Sequence, residues 1–380
     1  MSWCLVLHTT RDLKFSMLPS LRKVDKLTIT FLVDNAIEWF TKLPPGFTHE
    51  LPQHLQEHRC TVDEATNTPM LDFNDICCGA HGFSALIETE IIGEPSRLVL
   101  FDTGPDKTSL VHNSTAMGVS LHKVERVIVS HWHADHTGGL LSFLEHRNKP
   151  SSSNETPPQL CVVDVHPNRP FARGIAPGPL YDKVIARLSP DPTFEEIESA
   201  GAIVERHTNG HAVSGDMVWV SGEIPRVTSF ETGLPGAKRF VEGAWVDELH
   251  LMDERYALID VAGKGLVIFS ACSHAGIVNV VKDAIARFSR PVYMVIGGLH
   301  LSGDSMAARI PPTVGWLSES LRPSPTYILP MHCSGFGAKV ALEQAFGEGT
   351  VPAGVGIKVQ VVGDREYDKR LAAPVVQDQS

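Results

Sequence analysis

The sequence predicts an α/β protein, a four-layer αββα sandwich of two β-rich halves with helices outside. Three observations predict it. Short apolar, β-branched runs alternate with segments of helical periodicity, and this style recurs in the second half of the chain. The composition is that of a folded globular chain: 380 residues, 43% hydrophobic and 20% charged. That length allows two domains or one large α/β domain with insertions, with a sizeable core.

Charge and cysteines exclude several functions. Lys and Arg number 33, Asp and Glu 44, a net charge of −11. With no basic stripe, a nucleic-acid partner is not expected. No apolar run approaches the ~20 residues of a membrane helix, so no membrane association is expected either. The seven cysteines are irregularly spaced, without a C-x-x-C. A disulfide framework is therefore not expected, and a reducing, cytoplasmic setting is. Residues 1–23, with Arg11, Lys14, Arg22 and Lys23, read as a leader, and a mitochondrial presequence is the alternative address. Oligomeric state is not readable.

The elements follow in order. Leu27-Thr-Ile-Thr-Phe-Leu-Val33 is a strand. Residues 41–80, Pro-rich and weakly periodic, form a long loop or insertion. Strands at 84–89 and 97–101 make a hairpin through Ile92-Gly-Glu-Pro95, then a helix covers 107–118 and a strand 125–130. A helix at 138–146 carries Leu140, Leu141 and Leu144 on one face, and 149–159 is a surface linker. A strand at 160–165 precedes helices near 180–188 and 194–200 and strands near 203–206 and 217–221. The second half gives strands at 256–261, 265–270, 292–296, 326–329 and 358–362, with helices at 276–288, 312–321 and 336–346. The main domain spans 24–365, with insertions near 41–80 and 147–215, and 366–380 is a polar tail.

The chemistry concentrates in His131-Trp-His-Ala-Asp-His136, directly after an apolar strand. Alternate side chains of extended chain share a face, so His131, His133 and Asp135 point one way. His136 joins them if the chain turns, which Gly138-Gly139 makes easy. A lone histidine would ordinarily be a satisfied polar residue. This many ligand-type side chains in H-x-H-x-D-H order are hard to explain as surface decoration. Imidazole and carboxylate suit zinc first, with manganese or iron as alternatives. One ion needs about four ligands, so this cluster with distant partners suggests two divalent ions. The distant partners should lie past other strand ends. His274, His300 and His332 each follow an apolar run, and Cys272 is a thiolate candidate or else a buried structural thiol. In Phe101-Asp-Thr-Gly104, Asp102 either orients a ligand histidine or makes an ordinary Asx turn. His49-Glu-Leu-Pro-Gln-His54 fails the zincin spacing and contains a proline. His207 and His211 are reserve ligands. No Walker A, Rossmann, G-x-S-x-G or kinase pattern is present.

At these residues the chain resembles the metallo-β-lactamase superfamily, through H-x-H-x-D-H and the preceding Phe101-Asp-Thr-Gly104. Further motifs resemble the subfamily named for dihydropterin-methyl-aminobenzene-ribofuranosyl-phosphate synthase: Leu32-Val-Asp-Asn35, His81-Gly-Phe-Ser84, Ser221-Gly-Glu-Ile-Pro-Arg226, Asp247-Glu-Leu249, Cys272-Ser-His-Ala-Gly-Ile277, Gly297-Gly-Leu-His-Leu301 and His332-Cys-Ser-Gly335. The resemblance implies the αββα fold and a dinuclear site. It places His131 and His133 on one metal and Asp135 and His136 on the other, with His274 and His332 completing the shells. The superfamily's usual third-motif histidine and its bridging aspartate after strand 265–270 are not evident, and Cys272 or Ser273 stands near the latter place.

The expected function is metal-dependent hydrolysis of a small ester, lactone or phosphate-containing substrate by metal-activated water. Asp135 would bind metal and orient the nucleophile, and His300 would protonate the leaving group. Arg169 and Arg173 are candidates for a substrate anion, or else solvated loop charges. The alternatives are a metal-assisted transferase joining a pterin-like electrophile to an aromatic ribosyl-phosphate, and a non-catalytic metal-binding protein.

Overall fold

Alternation along the strands sorts their side chains between two environments. In the computed structural model, which describes residues 21–56, 60–149 and 159–377, Leu27, Ile29 and Phe31 of strand Lys26–Val33 face a central core. Leu32 and Val33 face the other side, after a register shift between Phe31 and Val33. Strand Gly265–Ser270 behaves alike: Val267 and Phe269 enter the central core, and Leu266 and Ile268 face away. Fully burying each such side chain contributes about 1.5–3 kcal/mol.

Helices cover the two outer faces. Leu110, Phe143 and Ile197 bring Ser109–Ala116, Leu140–Arg147 and Phe194–Ser199 onto the first sheet. Val281 and Leu342 bring Ile277–Phe288 and Phe336–Phe346 onto the second. Helix Ile277–Phe288 starts where the Glu231 carboxylate accepts from the N–H groups of Val278 and Asn279. The layers are therefore helix, sheet, sheet, helix, as the sequence predicts.

The first sheet has eight strands and the second six. In the first, Arg97–Phe101, Arg126–Ile128, Cys161–Val165 and Ala202–Arg206 run parallel. In the second, Gly265–Ser270, Val292–Gly298 and Tyr327–Met331 run parallel. Parallel strands present their carboxyl ends along one edge, where open α/β sheets place ligands. The last strand of the main domain, Lys358–Val362, crosses back to pair with Lys26–Val33 in the first sheet.

Several expected boundaries differ. Residues 41–80 hold a helix, Glu50–Gln56, and a hairpin of Thr61–Asp63 with Thr68–Met70, tightened by the Asp63 carboxylate on Thr66. Residues 147–215 are not one insertion, because Cys161–Val165 and Ala202–Arg206 complete the first sheet. The helix expected near 180–188 is absent. Leu180 and Ile185 are exposed, so that segment has no apolar face to bury, and Ala186–Arg187 pairs instead with Gly174–Ile175. That pair belongs to an unexpected four-stranded antiparallel sheet with Ala237–Val241 and Ala244–Asp247. The tail after 365 is tied down: Val375–Val376 pairs with Leu321–Arg322, and Asp368 bonds Lys23 and Arg290. The expected leader lies outside the described residues up to residue 20, and the expected linker lies outside them over 150–158.

Candidate metal centre

Strand Arg126–Ile128 leads through Val129 to Ser130 and His131, and the chain then turns into the short helix Ala134–Thr137. This turn packs tightly on the loop after Phe101. A Cβ at Gly138 would meet the Pro105 carbonyl oxygen at 2.0 Å, so only glycine allows that approach. Across the sandwich, the second sheet delivers Cys272 and His274 after Gly265–Ser270, His300 after Val292–Gly298, and His332 and Cys333 after Tyr327–Met331.

Two adjoining donor sets result, and a further group of Cys272, His300 and Cys333 shares Cys272 with the second. In the first, His131 Nε2 lies 3.0 Å from His133 Nδ1 and 3.3 Å from His274 Nε2. In the second, Asp135, His136, Cys272 and His332 bring one donor atom each within 4.8 Å of one another. His136 Nε2 lies 3.2 Å from Cys272 Sγ, and Asp135 Oδ2 lies 3.5 Å from His136 Nε2 and 3.2 Å from His332 Nε2. The His131 and His136 rings, 4.4 Å apart, join the sets. Cys272 thus stands where an aspartate was sought, while Ser273 turns away to Ser270 and to the Gly298 carbonyl.

Outer partners fix several rings. His136 Nδ1 is 2.8 Å from Asp102 Oδ2, and Asp102 also accepts from Ser130 N at 2.7 Å and Ser130 Oγ at 2.6 Å. Asp102 is therefore an orienting carboxylate rather than a local Asx turn. Asp34 accepts from His332 N at 2.8 Å, and the Asn35 side chain touches the rings of His332 and His81. Asp102, Ser273, His300 and His332 all hold left-handed backbone with φ between 45° and 60°. For non-glycine residues such conformations cost of order 1–3 kcal/mol each and cluster at functional sites.

The charges fit cations. Burial, together with neighbouring histidines, pushes His131 and His274 well below the usual imidazole range. Burial and the nearby Arg173 lower His133 to about 3. These rings are therefore neutral, each with one N–H and one lone pair. A single ring proton cannot serve both neighbours of His131 Nε2, and His274 Nδ1 has no hydrogen-bond partner among the described residues. Burial acts against charge on His136 and Asp135 too, yet Asp135 and Asp102 hold His136 well above its ordinary value, and His136 and His332 hold Asp135 well below its own. His332 Nε2 lies 3.2 Å from Asp135 Oδ2 but makes no aligned hydrogen bond among the described residues. Converging imidazoles, a thiol and a carboxylate suit zinc or a similar divalent ion.

Both sets open into a cavity of about 1130 Å³. The unexpected small sheet and the loop beside it supply much of its far wall, through Ile175, Pro177, Tyr181, Leu234 and Lys238. His300 lines the cavity with its ring 4.5 Å from that of His274. Burial lowers the His300 pKa, but Cys333 and Glu254 more than offset it, leaving the ring above its ordinary value.

The expectation for the two arginines is corrected. Arg173 is 4% exposed, and its guanidinium is committed to Glu248, Asp253 and the Trp132 carbonyl. Arg169 donates to the carbonyls of Pro192, Asp191 and Pro170 and is not among the cavity's lining residues. The five bonds of Arg173 take up its guanidinium donors, and Arg169, with three bonds, stands off the cavity lining. His207 and His211 stack on each other, and His211 bonds Asp164, which two arginines also hold. Cys333, with its sulfur 3.6 Å from that of Cys272, and His81, 3.9 Å from Asp135, were missed as site residues. Their only signal was the resemblance motifs containing them.

The family model described as the metallo-β-lactamase superfamily matches residues 81–228. A 7,8-dihydropterin-6-methyl-4-(β-D-ribofuranosyl)-aminobenzene-5'-phosphate synthase of Methanocaldococcus jannaschii is 30% identical over 282 residues, covering 73% of this chain and 88% of that protein. An uncharacterised protein of the same organism is 28% identical over 269 residues, covering 70% and 88%. The crystal structure of a metal-dependent hydrolase of the β-lactamase superfamily superposes with a TM-score of 0.61 at 19% identity, covering 88% of this chain and 99% of that one.

Proposed function

The chain belongs to the metallo-β-lactamase superfamily, and from that premise we propose that it is a metal-dependent hydrolase acting on a small ester, lactone or phosphate-containing substrate. The observation that carries this reading is the pair of adjoining donor sets on the floor of one open cavity. His131, His133 and His274 would hold one divalent ion, and Asp135, His136, Cys272 and His332 the other, zinc before manganese or iron. When bound, such ions supply Lewis acidity and bring the pKa of water toward ~7. Asp135 is partly open to the cavity, with its side chain 26% exposed, and orients the attacking nucleophile. His300, on the wall beside His274, delivers a proton to the leaving oxygen. The cavity volume exceeds the ~300–1,000 Å³ of ordinary small-molecule sites, so a multi-ring substrate is accommodated.

A second reading, metal-assisted transfer, is favoured by the likeness to the synthase over 88% of its length. The first experiment is elemental analysis of protein purified without added metal, followed by a panel of esters, lactones and phosphate esters. Asp135→Ala is expected to lose turnover and metal together, and full activity in that variant would overturn hydrolysis at this site. A product whose mass shows condensation of a pterin-like electrophile with an aromatic ribosyl-phosphate, without hydrolysis across the panel, would select the transferase.

A further inference from the structure

Three consecutive charged residues, Asp253, Glu254 and Arg255, are 0%, 3% and 1% exposed on the segment leading into strand Ala257–Val261. None of them belongs to either donor set. Burying such groups is costly unless each is well bonded, so their partners reveal their task.

The chain turns at Met252-Asp253, where Glu254 N donates to the Leu251 carbonyl, and divides the three side chains between two sides. Asp253 and Arg255 accordingly reach one ligand-bearing loop and Glu254 the other. Asp253 Oδ2 accepts from Trp132 N at 2.8 Å. Arg255 N donates to the Ser130 carbonyl at 2.8 Å, and its guanidinium donates to the Val129 carbonyl at 2.6 Å. Glu254 accepts from the backbone N–H of His274 and of Ala275, each at 2.7 Å. Arg173 closes the bracket: it donates to the Trp132 carbonyl and pairs with Asp253. Trp132, between His131 and His133, is therefore gripped at both its N–H and its carbonyl. These bonds fall on backbone groups of or near His131, His133 and His274, whereas Asp135, His136 and Cys272 of the second set, on the same two loops, receive none of them.

We infer that Asp253-Glu254-Arg255 is a positioning clasp. It fixes how far His274 stands from the His131/His133 pair, and so sets the cation affinity of the first donor set without touching the cation. This rests on the metal-centre reading above. A merely stabilising segment would weaken both donor sets alike or neither.

Full-length Glu254→Gln and Asp253→Asn, stripped of metal, are titrated with zinc alone against a chelating indicator beside the wild-type chain. Cobalt(II) absorption reports the geometry of each occupied position. Both variants keep side-chain size and lose charge-assisted acceptors. The expected result is a drop of about 10–100-fold in zinc affinity at one position, with the other unchanged and only one cobalt environment altered. Unchanged affinities, or equal losses at both positions, overturn the clasp. If a variant is unfolded without metal, zinc is added and folding followed by circular dichroism. Recovery of the fold with zinc supports the clasp, and no recovery at saturating zinc overturns it. A wild-type chain that takes up no zinc sinks the metal-centre reading itself, so the two failures are distinguishable.

Discussion

Asp102 Oδ2 faces His136 Nδ1 at 2.8 Å, from a backbone held at φ 60°. The carboxylate takes two more donors from Ser130, so it fixes the His136 ring and the start of the His131 loop together. Asp102→Asn replaces one acceptor oxygen by an NH2 that faces those donors. Zinc affinity of the second donor set should fall about 10–100-fold. The metal-free protein should lose about 1–3 kcal/mol, because buried donors are left unpaired. Chelator competition and urea unfolding measure the two effects, and wild-type zinc affinity in the variant would show that Asp102 does not orient the ring.

Gly82 lies against the Asp135 loop. A Cβ there would meet the Asp135 carbonyl oxygen at 2.4 Å and Pro105 Cδ at 2.7 Å. Gly82→Ala must therefore push Asp135 or Pro105 aside, at about 1–3 kcal/mol. Turnover should fall by more than the stability loss explains, since Asp135 belongs to the second donor set. Activity at wild-type level in a destabilised but folded variant would mean that the loop relaxes without moving the carboxylate.

Much of the centre was legible because its chemistry sits at strand ends. His131 to His136 follow an apolar strand, and His274, His300 and His332 each follow another. What was not legible depends on burial and partner choice. Arg173 reads as a surface charge in a polar loop, yet it is buried against Glu248 and Asp253, which arrive from 75 and 80 residues away. Cys333 is only the neighbour of His332 in sequence, and its approach to Cys272 needs both strands in place. The small sheet over the cavity was missed because Arg173–Ile175 and Ala186–Arg187 are short and join it only across the fold, although Ala237–Val241 and Ala244–Asp247 form a local hairpin through Glu242-Gly243.

Acid should destabilise the metal-free protein. An unfolded histidine titrates near ~6.5, whereas folded His133 does so at about 3, and His131 and His274 are also pushed down. Below pH ~6.5 the unfolded chain binds more protons at these residues, so stability falls as pH drops from there toward 3. His136, pushed up, has the opposite sign: its contribution is present below ~6.5 and lost as pH rises through its folded value. His300, also pushed up, shares that sign, and with three site rings lowered against two raised the net direction is loss on acidification. Urea midpoints should be lower at pH 5 than at pH 7.5, and a higher midpoint at pH 5 would contradict neutral first-set histidines.

Cys272 and Cys333 should cross-link when the centre is empty. Their sulfurs are 3.6 Å apart and must close by about 1.6 Å to reach the ~2.0 Å of a disulfide. Hydrogen peroxide would remove one hydrogen from each thiol, joining the sulfurs while the peroxide is reduced to water. Peptide mass mapping of metal-stripped protein should find the linked pair, and Cys333→Ser should abolish it. Zinc should slow the reaction, because Cys272 belongs to the second donor set and its sulfur would be committed to the cation. Equal rates with and without zinc would remove Cys272 from that set, leaving Asp135, His136 and His332 as its donors.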